Sequence, residues 1–168
     1  MAERLQVVDE NDDPIRVATR EEAWANGWIL RSAFIVLRDV DGNFLLQQRS
    51  LKKKTAPGKW TFAASGHVDE GESYDDAAPR ELLEEIGIKT DLSVIGKMRI
   101  TLTAPGHTDD HFVTVYTGTI DRDTPITVDK EEVETTRWLS PDELNNEVSD
   151  APENFSPKLL AIYKQFFS

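Results

Sequence analysis

From Gly66 to Ile88 the chain reads GHVDEGESYDDAAPRELLEEIGI, and this segment constrains the fold more than any other. On a helix of roughly 100° per residue, Glu81, Glu84 and Glu85 share an arc about 100° wide. Leu82, Leu83 and Ile86 occupy a second arc of similar width. The aliphatic arc needs a core to dock on. The acidic arc places like charges at i, i+3 and i+4, which destabilises a bare helix. A divalent cation relieves that repulsion, and hard carboxylate oxygens suit Mg²⁺ or Mn²⁺. The competing interpretation is a solvated acidic face, which is ordinary in a chain with 31 Asp and Glu.

The ends of the segment carry backbone signals. Gly66 and Gly71 flank a tight loop. Ser73 or Asp76 can cap a helix start, and Gly87 can end it in a left-handed turn before apolar Ile88. Pro79 lies between them. If the helix began at Ser73, Pro79 would be interior, at a cost of roughly 3 kcal/mol. The sequence therefore predicts a start near Asp75 or Asp76, or a kink at Pro79.

At 168 residues the chain is long enough for a sizeable core. It has no cysteine, which excludes disulfides and thiolate metal sites. The net charge of −12 and the pI near 4.6 argue against binding a nucleic-acid polymer through its backbone. They leave a small phosphorylated ligand open, because a metal supplies local positive charge. The polar, acidic N-terminus is unlike a signal peptide, and no apolar run is long enough to span a membrane. The expectation is a cytoplasmic protein.

Along the chain, LQVV and IRVAT flank a DENDD turn, and Thr19-Arg-Glu-Glu22 reads as a capping box for a short helix. This N-terminal unit occupies residues 1–30. RSAFIVLR and FLLQQR form a hairpin about Asp41-Gly42. A polar loop at 50–59 precedes a short strand from Trp60. Two strands surround a polar loop at 103–111, and TTRWL is the last strand. Ser140-Pro141 and Ser156-Pro157 each open a helix, the second running through 156–168. Strands interleaved with helices indicate one α/β (α+β) domain spanning 1–168.

Gly66, Glu72, Arg80, Glu81, Leu82, Glu84, Glu85, Gly87 and Ile88 satisfy every specified position of the Nudix box. Chance would produce that in fewer than roughly one chain in a million of this size. The chain thus resembles the Nudix, or MutT-like, hydrolases. The resemblance implies an α/β/α sandwich around a mixed sheet and pyrophosphatase chemistry on a small diphosphate, typically a nucleoside diphosphate derivative. It implies Mg²⁺ or Mn²⁺ held by Glu81, Glu84 and Glu85, with Glu81 as the base and Arg80 and Glu72 in the catalytic set. A homodimer is the family-level expectation. Isopentenyl-diphosphate isomerisation and non-catalytic nucleotide sensing are the alternatives.

VVDENDDPI, DGNFLLQQRS and PGKWTFAASGHVDEGES also resemble the isopentenyl-diphosphate isomerase branch of that superfamily. There a catalytic Cys precedes Gly-His; here Ser65 holds that place. Serine is a poor substitute for a proton-transfer thiol. The isomerase's upstream metal-binding histidines have no counterpart, since no histidine precedes His67. The isomerase's own box is degenerate, whereas this one is intact. These departures favour a hydrolase.

Outside the box, Glu132 is the candidate fourth metal ligand, with Glu131 and Glu134 competing. Arg49, Lys59 and Gly66 are the candidate substrate contacts. Lys52, Lys53 and Lys54 share the basic loop but read as solvated. His107 and His111 lie in or beside the 103–111 loop, where they could rim a pocket.

Overall fold

The computed structural model describes residues 3–168; residues 1 and 2 of the N-terminal unit lie outside the described residues. Nine strands form one mixed sheet: β1 (Leu5–Val8), β2 (Pro14–Ala18), β3 (Ile29–Arg38), β4 (Phe44–Arg49), β5 (Trp60–Phe62), β6 (Ala64–His67), β7 (Ser93–Ala104), β8 (His107–Thr119) and β9 (Val133–Leu139). Four helices accompany them: α1 (Arg20–Asn26), α2 (Tyr74–Ile86), α3 (Pro141–Asp150) and α4 (Pro157–Phe166).

β3 is the spine. It pairs in parallel with β8 over its whole length and antiparallel with β1, β4 and β6 at successive positions. Its side chains alternate between two cores, as the period-2 geometry of a strand requires. Ala33, Ile35 and Leu37 face one core, into which α2 inserts Ala77, Ala78, Leu82 and Ile86. Phe34 and Val36 face the other, built with Leu144 of α3 and Leu159 and Ile162 of α4. Helices on both faces of a mixed sheet make the α/β/α sandwich. A smaller cluster under α1 joins Leu5, Val7, Ala18, Ala23 and Leu30. No helix among the described residues is long and apolar enough to cross a membrane.

Two sequence expectations need correction. First, α2 starts at Tyr74, not near Asp75 or Asp76, so Pro79 lies inside the helix. The N-terminal cap decides this. Ser73 accepts from the Asp76 amide, and Asp76 accepts in return from the Ser73 amide at 3.1 Å. The buried Ala77 and Ala78 dock the turn before the proline, so packing overrides the proline's local cost. Second, 103–111 is not a loop: β7 and β8 run on to a tight turn at Pro105-Gly106, where Gly106 has φ 85°. His111 consequently lies within a strand and is fully buried rather than on a rim.

Candidate active site

β6 ends beside the N-terminal half of the box, and the loop after it delivers the chain into α2, so the box helix and the sheet edge share one cavity. The cavity measures about 1050 Å³. Glu81, Glu84 and Glu85 line it from α2, and Gly66 lines it from β6. Glu85 is 7% exposed. Its carboxylate accepts from the Ser65 amide at 2.9 Å and from Gln47 at 3.1 Å. Burial, with repulsion from Glu132 adding to it, outweighs these bonds and pushes its pKa up to about 7. Burial raises Glu81 to about 8, with Glu85 adding repulsion and Arg80 opposing. Burial thus favours the protonated form of both groups, and a cation bound beside them would favour the ionised form instead.

Gly66 is required by Glu81. A Cβ at Gly66 would overlap the Glu81 carboxylate, the farthest of its three atoms being only 2.5 Å away. The backbone of β6 thus forms a wall against which the acid is seated.

Arg80 joins the box together. It grips Glu72 through Nε and Nη2, at 2.5 and 2.9 Å. Its Nη1 donates to Glu81 at 2.8 Å and to Glu84 at 3.2 Å, and its Nη2 also reaches the His67 carbonyl at 3.1 Å. It both reaches back to Glu72 and holds two glutamates. Among the described residues no three Asp, Glu or His side chains converge at metal-ligand spacing. A cation bound at Glu81 and Glu84 would compete with Arg80 for the same oxygens. The donor set nonetheless fits a hard divalent ion: the buried carboxylate of Glu85, the half-buried one of Glu81 and the exposed one of Glu84, all lining one cavity.

Of the candidates outside the box, Glu132 also lines the cavity, and Lys53 pairs with it. Glu131 instead pairs with exposed Lys52, and Glu134 accepts from the Leu51 amide; neither lines the cavity. Arg49 is largely buried at the end of β4, with Nε and Nη2 on the Thr55 carbonyl at 3.1 and 2.8 Å. Burial lowers its pKa, although Glu85 and Glu132 oppose that effect. Lys59 borders the cavity and donates to the Glu153 carbonyl. Lys54 lies at the surface, paired with Glu21.

Beside His107 and His111, the structure gathers residues that local sequence patterns do not single out. Arg20 and Trp24 of α1, and Asp109 and His111 of β8, meet Lys158 of α4. Trp24 donates to Asp109 Oδ1 at 3.1 Å, Lys158 pairs with Asp109 Oδ2 at 3.0 Å, and the His111 ring bonds Asp109 as well. Ser32 Oγ lies 2.5 Å from His111 Nδ1, and His67 stacks on His111 at 5.1 Å. Trp24 in turn stacks on His107 at 4.9 Å. Arg20 lines the cavity with its Nε buried and unpartnered. One sequence signal was available. The first turns of α1, α2 and α3 carry acidic residues, but that of α4 carries Lys158, against the helix dipole.

Comparisons with known proteins identify the family. The NUDIX domain family model matches residues 28–160. The chain is 34% identical to an uncharacterised Nudix hydrolase of Pseudomonas aeruginosa, over 90% of this chain and 86% of that protein. It is 32% identical to an isopentenyl-diphosphate Delta-isomerase of Serratia proteamaculans (98% and 91%). It is 30% identical to a prenyl-diphosphate phosphatase of Methanosarcina mazei (96% and 95%). The crystal structure of DR0079 from Deinococcus radiodurans superposes with a TM-score of 0.81 over 99% of this chain and all of that one; at 21% identity the likeness is one of fold. The chain belongs to the Nudix hydrolase family, on its isopentenyl-diphosphate isomerase-like branch, and is a hydrolase of pyrophosphate bonds.

Proposed function

We propose that this enzyme hydrolyses the diphosphate of a small organic ester, a nucleoside diphosphate derivative or an isoprenoid diphosphate. The observation that carries the reading is one cavity lined both by Glu81 and Glu85 of the box and by the cations Arg20, Arg49 and Lys59. The M. mazei prenyl-diphosphate phosphatase supports including isoprenoid diphosphates.

Mg²⁺ or Mn²⁺ held by Glu81, Glu84, Glu85 and Glu132 would supply charge neutralisation at phosphorus. Arg20, Arg49 and Lys59 bind and orient the diphosphate. Glu81 takes the proton of the attacking water, and its raised pKa suits a base working near neutrality. A P–O bond forms to water, the bridging P–O bond breaks, and the second phosphate leaves with its substituent. Arg80 and Glu72 keep Glu81 in position.

The test is a turnover screen with Mg²⁺ and Mn²⁺ over nucleoside di- and triphosphates, nucleotide sugars, dinucleotide coenzymes and prenyl diphosphates. Glu85→Gln is the control: its remaining amide oxygen still accepts from Ser65 and Gln47, so the fold holds while the charge is lost. Cleavage of one class, reduced by about 100-fold or more in the control, supports the assignment. Interconversion of isopentenyl and dimethylallyl diphosphates would support the isomerase instead. Tight ligand binding without turnover would support a sensor.

A further inference from the structure

Ser32, His111 and Asp109 form a continuous hydrogen-bonded chain that the box chemistry does not use. Ser32 lies on β3, opposite His67 of β6, and His111 and Asp109 lie on the neighbouring β8. Ser32 Oγ is 2.5 Å from His111 Nδ1, and His111 Nε2 bonds Asp109 Oδ1. The carboxylate is held in turn: Trp24 donates to Oδ1 at 3.1 Å, and Lys158 pairs with Oδ2 at 3.0 Å. The His67 ring stacks on the His111 ring, with centroids 5.1 Å apart and planes 22° apart. The His111 imidazole is therefore fixed at both nitrogens and on one face.

These partners also fix where the protons sit. Burial works against the charge of Asp109, but the bonds from His111 and Lys158 outweigh it and hold its pKa well below the usual carboxylate range. An ionised carboxylate only accepts, so Nε2 carries the ring hydrogen. Burial lowers the pKa of His111, with Lys158 adding to the effect and Asp109 opposing it, so the ring is neutral near neutrality. Nδ1 is then a free lone pair, and the Ser32 hydroxyl donates to it. A neutral base on a serine hydroxyl, oriented from its far side by an ionised carboxylate, is the arrangement that activates a serine nucleophile. The chain also ends at a space for ligands. Ser32 is only 3% exposed, yet it lines the cavity, while His111 behind it is fully buried. Arg20 lines the same cavity with its Nε buried and unpartnered, a donor for an oxyanion formed there.

We propose that Ser32 is an activated nucleophile and that the cavity carries a second activity, the hydrolysis of small carboxylic esters through an acyl-Ser32 intermediate. This activity is independent of the diphosphate reading. Ser32 Oγ bonds to the ester carbonyl carbon while its proton passes to His111 Nδ1. The bond from that carbon to the alkoxy oxygen breaks, and the alcohol leaves with the proton. Water then attacks the acyl carbon and gives a proton to His111. The acid departs, and the proton returns to Ser32. An imidazole is the base in both halves, and Asp109 is a positioning residue that keeps the ring in the tautomer the first half needs.

The probes are p-nitrophenyl acetate, followed by nitrophenolate release, and diisopropyl fluorophosphate, which phosphorylates an activated serine with loss of fluoride. Both are used at about pH 8, above the ordinary imidazole pKa, and in EDTA, which silences a metal-dependent diphosphatase. Wild type should take up a single diisopropylphosphoryl group. Trypsin cleaves after Arg31 and Arg38, so the label should map to the peptide SAFIVLR. Ser32→Ala removes one oxygen atom; it should lose the label and cut ester turnover by about 100-fold or more, while diphosphate turnover with Mg²⁺ stays within about twofold. Asp109→Asn should slow labelling of Ser32 by about 100-fold or more, because the ring loses the partner that sets its tautomer. If Asp109→Asn fails to fold, wild type and Ser32→Ala decide the matter between them. A wild type that takes no label, or takes it outside SAFIVLR, overturns the proposal. So does ester turnover that survives in Ser32→Ala, or labelling at an undiminished rate in a folded Asp109→Asn. Glu85→Gln should keep the esterase, so a failure of the diphosphatase reading is seen separately.

Discussion

Gly66→Ala is a one-carbon test of how the box is built. Gly66 is not in a left-handed conformation, so alanine imposes no backbone strain there, and the effect isolates the space for Glu81. The new Cβ would overlap the carboxylate carbon and both oxygens, so Glu81 must leave its rotamer. That breaks the 2.8 Å bond from Arg80. A charged hydrogen bond is worth roughly 1.5–3 kcal/mol, and an off-rotamer side chain costs about 1 kcal/mol. The expected loss of stability is about 2–4 kcal/mol by chemical denaturation, with kcat lower by about 100-fold or more on whichever diphosphate is cleaved. Pairing the change with Glu81→Ala separates the two effects. If the collision is the cause, Gly66→Ala should cost less than about 0.5 kcal/mol when Glu81 is already truncated, a strong departure from additivity. Full activity and stability in Gly66→Ala, or an undiminished cost in the double variant, would refute the reasoning.

Four further outcomes follow from the geometry. Glu81 and Glu85 hold their protons more tightly folded than unfolded, since burial raises both from 4.5, to about 8 and about 7. The stability they contribute is complete below pH 4.5 and is lost as pH rises through 7 and 8. Melts in EDTA should therefore fall over that window by up to about 1.4 kcal/mol per pH unit per group, and Mg²⁺ should flatten the profile. Arg80→Lys abolishes the two-nitrogen grip on Glu72 and should cost roughly 1–3 kcal/mol while cutting kcat more than it raises KM. Asp109→Ala leaves half-buried Lys158 and buried His111 without their carboxylate and should lower Tm by roughly 10 °C. Pro79→Ala returns a donor to the middle of α2 and should raise stability by up to about 3 kcal/mol in urea titrations; a loss would mean that the proline's packing outweighs its missing bond.

The parts of this molecule that were legible in the sequence are those governed by short spacing. The acidic and aliphatic arcs of 81–86, the capping box at Thr19, the helix start at Ser140-Pro141, and Gly87 as a left-handed stop are all fixed within one or two turns of chain. The expectations that missed were decided by distant partners. The start of α2 is set by Ala77 and Ala78 packing on the sheet as well as by the cap, so local proline cost was a poor guide. The polar stretch around Thr108–His111 resembles a loop because its polar side chains are turned inward to Arg99, Trp24 and Lys158 rather than to water. Alternation of apolar and polar residues cannot distinguish a strand with a buried polar face from a turn.

The same limit explains why the acidic half of the cavity was readable and the basic half was not. Box carboxylates arise from one helix, where i, i+3 and i+4 is a visible pattern. Arg20, Arg49 and Lys158 come from α1, β4 and α4, separated by 29 and 109 residues (49 − 20 and 158 − 49), and only the closed sheet brings them to one wall. Chemistry at phosphorus needs a fixed set of oxygens, which one helix can supply. Recognition of what is attached to the diphosphate needs contacts from several directions, which one helix cannot. Exchanging residues on α1 or α4 should therefore change which diphosphate is accepted while α2 leaves the bond-breaking step intact. A swap of Arg20 and Lys158 for neutral residues that lowers kcat uniformly on every substrate, with KM untouched, would contradict that division of labour.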